Sequence, residues 1–448
     1  MRSTRLLCMF LAAGSLVLPC NLFAREITIQ EGVVDTLKLS PRLEMMKYNR
    51  EAVKHDLRKA EGGYYPRLNA RAGIGTDRHS DLLTRLENRD QTWHGREEAS
   101  LVLTQLLFDG AETRSQVRID ESRVESIDHR VFDNAEALAL DGALAALEIH
   151  RQQRLLQVAE DNVTTHEKIL ESIKEMEEAG AGSVADVAQA RARLTRTITT
   201  RINVVNDYEN ALSDYERLAG YRPERVLFPE TRPDIFLPAV VDPLVESVLE
   251  NNPKLMTMKA DIETAMHRVS LEKSKFFPKI FFEAGALYED GVEGEEEWSR
   301  NYAAMVRMNW NLYNGGSDDA AKAAALARKF QAEAEFRELV RTLTNEARAT
   351  WNDYEAAIAE EKALEENVEF SDRTRKLYSE QFSVGQRSLL DLLDAENEYF
   401  QSLGLYVTSL VGRVANVYRL LALEGKLIET LGIDPALYKK PLEIPAAE

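Results

Sequence analysis

Two aspartates three residues apart, Asp391 and Asp394, follow the turn-like stretch Val384-Gly385-Gln386-Arg387-Ser388. On a helix that spacing sets both carboxylates on one face. An earlier stretch repeats the pattern, with Gly180, Ser183 and Asp186 spaced like Gly385, Ser388 and Asp391. Taken as residues alone, these are best read as solvated helix charges, with Asp186 and Asp391 capping helices that start at each turn. Nothing else in the chain forms a catalytic set. The seven histidines are scattered and none falls into His-Glu-x-x-His. Gly73-Ile74-Gly75 lacks the context of a phosphate loop, and Gly315-Gly316 only closes a strand. The abundant Glu and Asp lie at surface spacings on helices. No enzyme activity, metal or cofactor is expected.

The elements that position these charges begin after a leader. Arg2 and Arg5 precede an apolar run from Leu6 to Leu18, and Leu22-Phe23-Ala24 fits a cleavage site, so residues 1–24 are expected to be a signal peptide. Pro19 before Cys20 fits lipid attachment poorly. Removing the leader removes both cysteines, Cys8 and Cys20, and leaves 54 basic against 75 acidic residues, a formal charge of −21. So acidic a chain is a poor partner for nucleic acid. No later run of 18 or more apolar residues predicts a spanning helix, which leaves a periplasmic protein or an outer-membrane β-protein.

Proline marks the organisation. None occurs between Pro66 and Pro223, or between Pro278 and Pro435. The halves align: Pro41 to Pro253 and Pro66 to Pro278 are each 212 residues apart, and Gly110 to Gly315 and Asp186 to Asp391 are each 205 apart. The chain is therefore read as a duplication, with a first repeat at 25–222, a Pro-rich linker at 223–240, a second repeat at 241–432 and a tail at 433–448. Each repeat reads helix, strand, strand, long helix, turn, helix. Strands are expected at about 65–76, 98–109, 278–288 and 300–313, with external loops at 77–97 and 289–299. Leu68, Ala70, Ala72 and Ile74 alternate with Arg67, Asn69, Arg71 and Gly73, and Val306, Met308, Trp310 and Leu312 alternate with Arg307, Asn309 and Asn311. Alternation of this kind suits a barrel with lipid outside and water inside; only Leu106 breaks it. A periplasmic sandwich with one wet face is the competing reading.

Helical patterning from Gly110 to about Ala179, and again from Gly316 to Phe382, predicts rods of roughly 100 Å. Helices at about 31–63 and 184–218 would pack end to end along the first rod. Four strands cannot close a membrane barrel, so the barrel would be shared between chains: twelve strands from a trimer, or the minimum of eight from a dimer. A coiled-coil scaffold without a pore accounts for the rods but not for two amphipathic strand pairs opening onto them.

The tips Gly180-Ala181-Gly182-Ser183-Val184-Ala185-Asp186 and Phe382-Ser383-Val384-Gly385-Gln386-Arg387-Ser388-Leu389-Leu390-Asp391 resemble those of the TolC-like outer-membrane factors, and the resemblance covers nearly the whole mature chain. Gly62-Gly63-Tyr64-Tyr65-Pro66-Arg67 and Leu103-Thr104-Gln105 are most similar to the branch that works with exporters of large adhesins or RTX proteins. The resemblance implies an α+β, mostly α fold: a trimeric twelve-stranded barrel in the outer membrane of a Gram-negative bacterium, continued by a periplasmic helical tunnel. It implies as partners a periplasmic adaptor, an inner-membrane ABC transporter (or, for drug efflux, an RND pump), an exported protein and outer-membrane lipid. It further implies a gate of Arg387 against Asp186, with Phe382 where the best-known members carry tyrosine. Asp391 and Asp394 fall on a constriction ring, where threefold repetition would gather six carboxylates that favour cations. Gly180, Gly182, Ser183, Val384, Gly385, Gln386 and Ser388 would be adaptor contacts. With Phe382 lacking a hydroxyl, closure is expected to lean on Arg387–Asp186 or on packing.

Overall fold

The computed structural model describes residues 25–441 except 87, 89, 230–232 and 293–296. The expected leader at 1–24 and the end of the expected tail, 442–448, lie outside the described residues. The first repeat opens with β1 (Glu26–Thr28), α1 (Ile29–Leu39) and α2 (Pro41–Glu61). Strand β2 (Arg67–Asp77), a short α3 (Leu82–Leu86) and β3 (His94–Phe108) follow, then the rod α4 (Glu112–Glu178), α5 (Val184–Ala219) and β4 (Arg225–Leu227). The second repeat runs α6 (Val241–Asn251), α7 (Pro253–Ser274), β5 (Lys279–Asp290), β6 (Ser299–Asn309), the rod α8 (Ser317–Ser383) and α9 (Leu389–Leu423). Two single-turn helices, α10 (Leu427–Thr430) and α11 (Ala436–Lys439), complete it.

Where one helix was expected over 31–63 there are two. Pro41 sits at the first position of α2 and forces Ser40 out of the helical region, to φ −73°, ψ 114°. Asn252 before Pro253 does the same in the second repeat, and its side chain accepts from the Lys254 N–H. The rods are uninterrupted. Each is 67 residues long, or roughly 100 Å. They lack a continuous apolar stripe because each meets neighbours on several sides: α4 packs against α2, α5, α7 and α9, and α8 against α7 and α9. The main core lies midway along α4. There Ala135, Ala139, Ala143 and Ala146 are fully buried among residues of α1, α5 and α9. Small side chains let these helices approach closely. At Gly142 a Cβ would stand 2.7 Å from the Thr36 hydroxyl of α1.

All four longer strands form one antiparallel sheet in the order β2-β3-β5-β6, so the repeats join at β3–β5. The register brings like faces together. Leu68 pairs with Leu103, Leu103 with Ala284, and Ala284 with Ala304, while the adjacent row runs Arg67, Thr104, Glu283, Met305. Leu106, which broke the sequence alternation, lies at a register shift between Leu106 and Phe108. A bulge there absorbs the extra residue. The structure places β3 from His94, within the stretch expected as a loop, because pairing with β2 continues to Asp77↔His94. β6 stops at Asn309, short of the expected 313, where its pairing with Lys279 ends. Among the described residues, both outer strands, β2 and β6, have one edge unpaired.

Candidate functional site

At the end of the rods remote from the sheet, two helical hairpins turn. After α4, Gly180 adopts φ +76°, which glycine takes without a Cβ penalty, and the N–H groups of Ala181 and Gly182 donate to the Met176 carbonyl. After α8, Gly385 adopts φ +75° and the Gln386 N–H donates to the Gln381 carbonyl. Each following helix starts with a capping box. The Ser183 hydroxyl accepts from the Asp186 N–H while Asp186 accepts from the Ser183 N–H; Ser388 and Asp391 repeat the arrangement. Gly180, Ser183, Val384, Gly385, Gln386 and Ser388 are exposed, and Gly182 is half-buried. The exposed hydrophobics Val184 and Val384 crown the two turns.

Within the chain Arg387 and Asp186 are each engaged by other partners. Asp186 is engaged in its cap, with the Ser183 hydroxyl 2.8 Å from its carboxylate. The Arg387 Nε donates to Gln381 Oε1 at 2.9 Å, and its guanidinium lies 4.1 Å from the Tyr378 ring centre. Its nearest carboxylate is Asp391 of the same hairpin, at 3.9 Å. Arginine over an aromatic face is a favourable, locally satisfied arrangement. Tyr378 gave no signal in the sequence, since only the folded turn brings it to Arg387.

What joins the hairpins is mainly apolar. Leu170 and Ile173 of α4, Ala190 of α5, and Leu389 and Leu393 of α9 form one buried cluster, with Phe382 of α8 packed against it. All four helices contribute. Beside it the Arg193 Nη2 of α5 donates to the Asp394 Oδ1 of α9 at 2.8 Å. Asp391 and Asp394, expected together at a constriction ring, are engaged differently within the chain, one in a cap and one in a salt bridge. Farther along, a groove of about 580 Å³ lies between α5 and α9 over α4, lined by residues including His166, Arg196 and Phe400. His166 is buried, its Nδ1 is 3.0 Å from the Asn162 carbonyl, and burial holds its pKa below the usual imidazole value. Among the described residues no group of His, Cys, Asp and Glu could hold a metal ion.

The sheet is the second functional surface. Large apolar side chains stand exposed on it, including Leu68, Ile74, Tyr302, Val306 and Met308. Aromatics flank this band at both ends. Trp93 and Trp298 lie at the loop end, while Tyr65, Phe276, Phe277, Trp310 and Tyr313 lie at the helix end, all exposed. An apolar band between two aromatic girdles is the pattern of a membrane-embedded β-surface. The sequence reading did not take these rings as girdles, although their position just beyond the strand ends was a usable signal. On the other face, Arg307 of β6 pairs with Glu283 of β5. No described helix is long and apolar enough to cross a membrane.

Comparison with known proteins agrees with this geometry. The family described as outer membrane efflux protein matches residues 33–221 and 244–423. The outer membrane efflux protein BepC of Brucella suis is 24% identical over 339 residues, 75% of this chain and 74% of that protein. The proteases secretion protein PrtF of Dickeya chrysanthemi is 22% identical over 395 residues, 83% of each chain. Among solved structures, a membrane protein from Pseudomonas aeruginosa superposes with a TM-score of 0.79 at 18% identity, covering 90% of this chain and 91% of that one. The outer membrane protein VceC of Vibrio cholerae gives 0.75 at 15% identity, over 90% and 96%. With both halves matched by one family and the sheet built to face lipid, the chain belongs to the outer membrane efflux protein family, the TolC-like channels of the outer membrane.

Proposed function

We propose that this protein is the outer-membrane exit channel of a type I secretion system. It assembles as a homotrimer and passes an unfolded adhesin- or RTX-like protein from an ABC transporter and periplasmic adaptor to the outside. The observation that carries the channel reading is the four-stranded sheet with an apolar outer face and two unpaired edges, set on rods of roughly 100 Å. Three copies pair β6 of one chain with β2 of the next and close twelve strands. The rods then reach across the periplasm, and the exposed tips at Gly180, Gly182, Ser183, Val384, Gly385, Gln386 and Ser388 meet the adaptor. Closure rests on the apolar cluster around Phe382, which a docking partner pries open. The expected gate pair of Arg387 and Asp186 would form between neighbouring chains of this trimer.

Similarity to PrtF, and to the alkaline protease secretion protein AprF of Pseudomonas aeruginosa at 23% identity, supports the secretion reading. Similarity to BepC, and to the toluene efflux pump outer membrane protein TtgF of Pseudomonas putida at 24% identity, favours a second one, the outlet of a tripartite small-molecule pump. Deleting the gene separates them. Loss of one large protein from the medium or cell surface, with drug sensitivity unchanged, is the expected result. Sensitivity to dyes and antibiotics with the secreted proteins intact would replace secretion with efflux.

A further inference from the structure

We propose that the groove between α5 and α9 binds a small amphipathic anion: a flat apolar body carrying one negative charge and one hydrogen-bond donor. Its volume of about 580 Å³ falls within the range of about 300–1,000 Å³ that suits small-molecule sites. Leu155 and Val158 of α4 and Phe400 and Leu405 of α9 supply apolar walls. The polar groups in the lining are left over from the chain's own needs. His166 is 3% exposed, and its Nδ1 lies 3.0 Å from the Asn162 carbonyl oxygen, which can only accept, so Nδ1 carries the proton. Burial keeps the ring neutral by holding its pKa below the usual imidazole value. The Nε2 is then an acceptor, and among the described residues nothing donates to it. Asn162 Oδ1 is a second acceptor, buried without a hydrogen-bond partner. Unmatched buried acceptors are costly, and an occupant with an N–H or O–H would satisfy one of them. The positive charge comes from α5. Arg193 is held by Asp394, whereas the Arg196 side chain is exposed and enters no hydrogen bond or ion pair among the described residues. Gly404 supplies the room. It sits inside the 35-residue α9 without a positive φ, where alanine is the better helix former. Packing does not demand glycine either, since a Cβ there would meet only the Leu155 Cδ2, at 3.7 Å, an ordinary contact. What the missing side chain leaves open is the groove itself, which Gly404 lines.

Anilinonaphthalene sulfonate has this chemistry, with a sulfonate, one N–H and two apolar ring systems, and its fluorescence rises on leaving water. Phenylnaphthylamine is the same molecule without the sulfonate. The full-length protein in dodecyl maltoside, titrated with each dye against a protein-free micelle blank, should bind one anilinonaphthalene sulfonate per chain. Arg196→Gln should weaken the sulfonate dye about fivefold, the upper range for an exposed ion pair, and leave phenylnaphthylamine unchanged. His166→Phe removes an acceptor and should weaken both dyes. Gly404→Leu fills the groove and should abolish binding of both, with the melting temperature at or above the wild-type value. No saturable binding by the assembled wild-type protein, as when a neighbouring chain covers the groove, would overturn the proposal. Binding that ignores both Arg196→Gln and Gly404→Leu would also overturn it, and would mark adsorption of dye to exposed apolar surface.

Discussion

Replacing Phe382 by alanine probes the closure most directly. The ring is half-buried and packs against a cluster supplied by α4, α5 and α9, so it holds the end of α8 onto the other hairpin. Truncating a fully buried phenylalanine costs about 3–5 kcal/mol, and a half-buried ring should lose about 2 kcal/mol. In the closure proposed above the open tip lacks this contact, so that loss should shift the closed-to-open ratio about 30-fold in each chain. Single-channel recording in planar bilayers would show it as frequent large-conductance openings, and cells carrying the variant would admit vancomycin. Phe382→Tyr keeps the apolar surface and should stay within about threefold of wild type. If Phe382→Ala assembles normally and conducts like wild type, the apolar cluster does not hold the tip shut and the reasoning fails.

Arg387→Glu should open the channel less than Phe382→Ala. Arg387 is satisfied by Gln381 and Tyr378 within its own hairpin, and the same recordings rank the two variants. Glu136 of α4 accepts from the Leu427 and Ile428 N–H groups at the start of α10, yet burial outweighs those bonds and pushes its carboxyl up to about 8. Between its ordinary value of 4.5 and about 8 the folded protein holds a proton that the unfolded chain lacks, so stability should fall as pH rises through that window. Denaturation curves at several pH values should lose much of this slope in Glu136→Gln. Gly110, at φ +66°, turns β3 into α4 where a Cβ would lie 2.5 Å from the Phe277 Cβ and 2.8 Å from the Ser274 carbonyl oxygen. Gly110→Ala should cost about 2–4 kcal/mol, read as a lowered melting temperature of the assembled protein in detergent.

Much of the scaffold was legible because its signals are local. Alternation along Leu68–Ile74 and Val306–Leu312 already separated two faces, and the one irregular residue, Leu106, marked the bulge. Gly180 and Gly385 announced the turns, and the caps read at Asp186 and Asp391 are capping boxes in which Ser183 and Ser388 are the N-cap residues. The break at Pro41 was equally local but was passed over, since proline was used there to mark repeats and not to end helices. The contacts between hairpins left no such trace. Arg193 looks like any surface arginine on α5, and its partner lies 201 residues away. Asp186 was expected at a gate from the family resemblance alone, and within the chain its carboxylate is engaged by Ser183. Which charge meets which across the seam depends on how far each helix has rotated when the rods pack, and a single sequence does not encode that in any short window.

The unpaired edges of β2 and β6 also constrain how the molecule is made. A lone sheet would carry a row of bare N–H and C=O groups into hydrocarbon, where each costs several kcal/mol. In water the same edges invite indiscriminate strand addition. Neither solvent suits a solitary chain, so in the trimer proposed above bilayer insertion and association with sister chains are expected to happen together. Biogenesis then depends on local concentration at the membrane, and the helical rods, which can form before any strand enters lipid, are the natural place for copies to find one another.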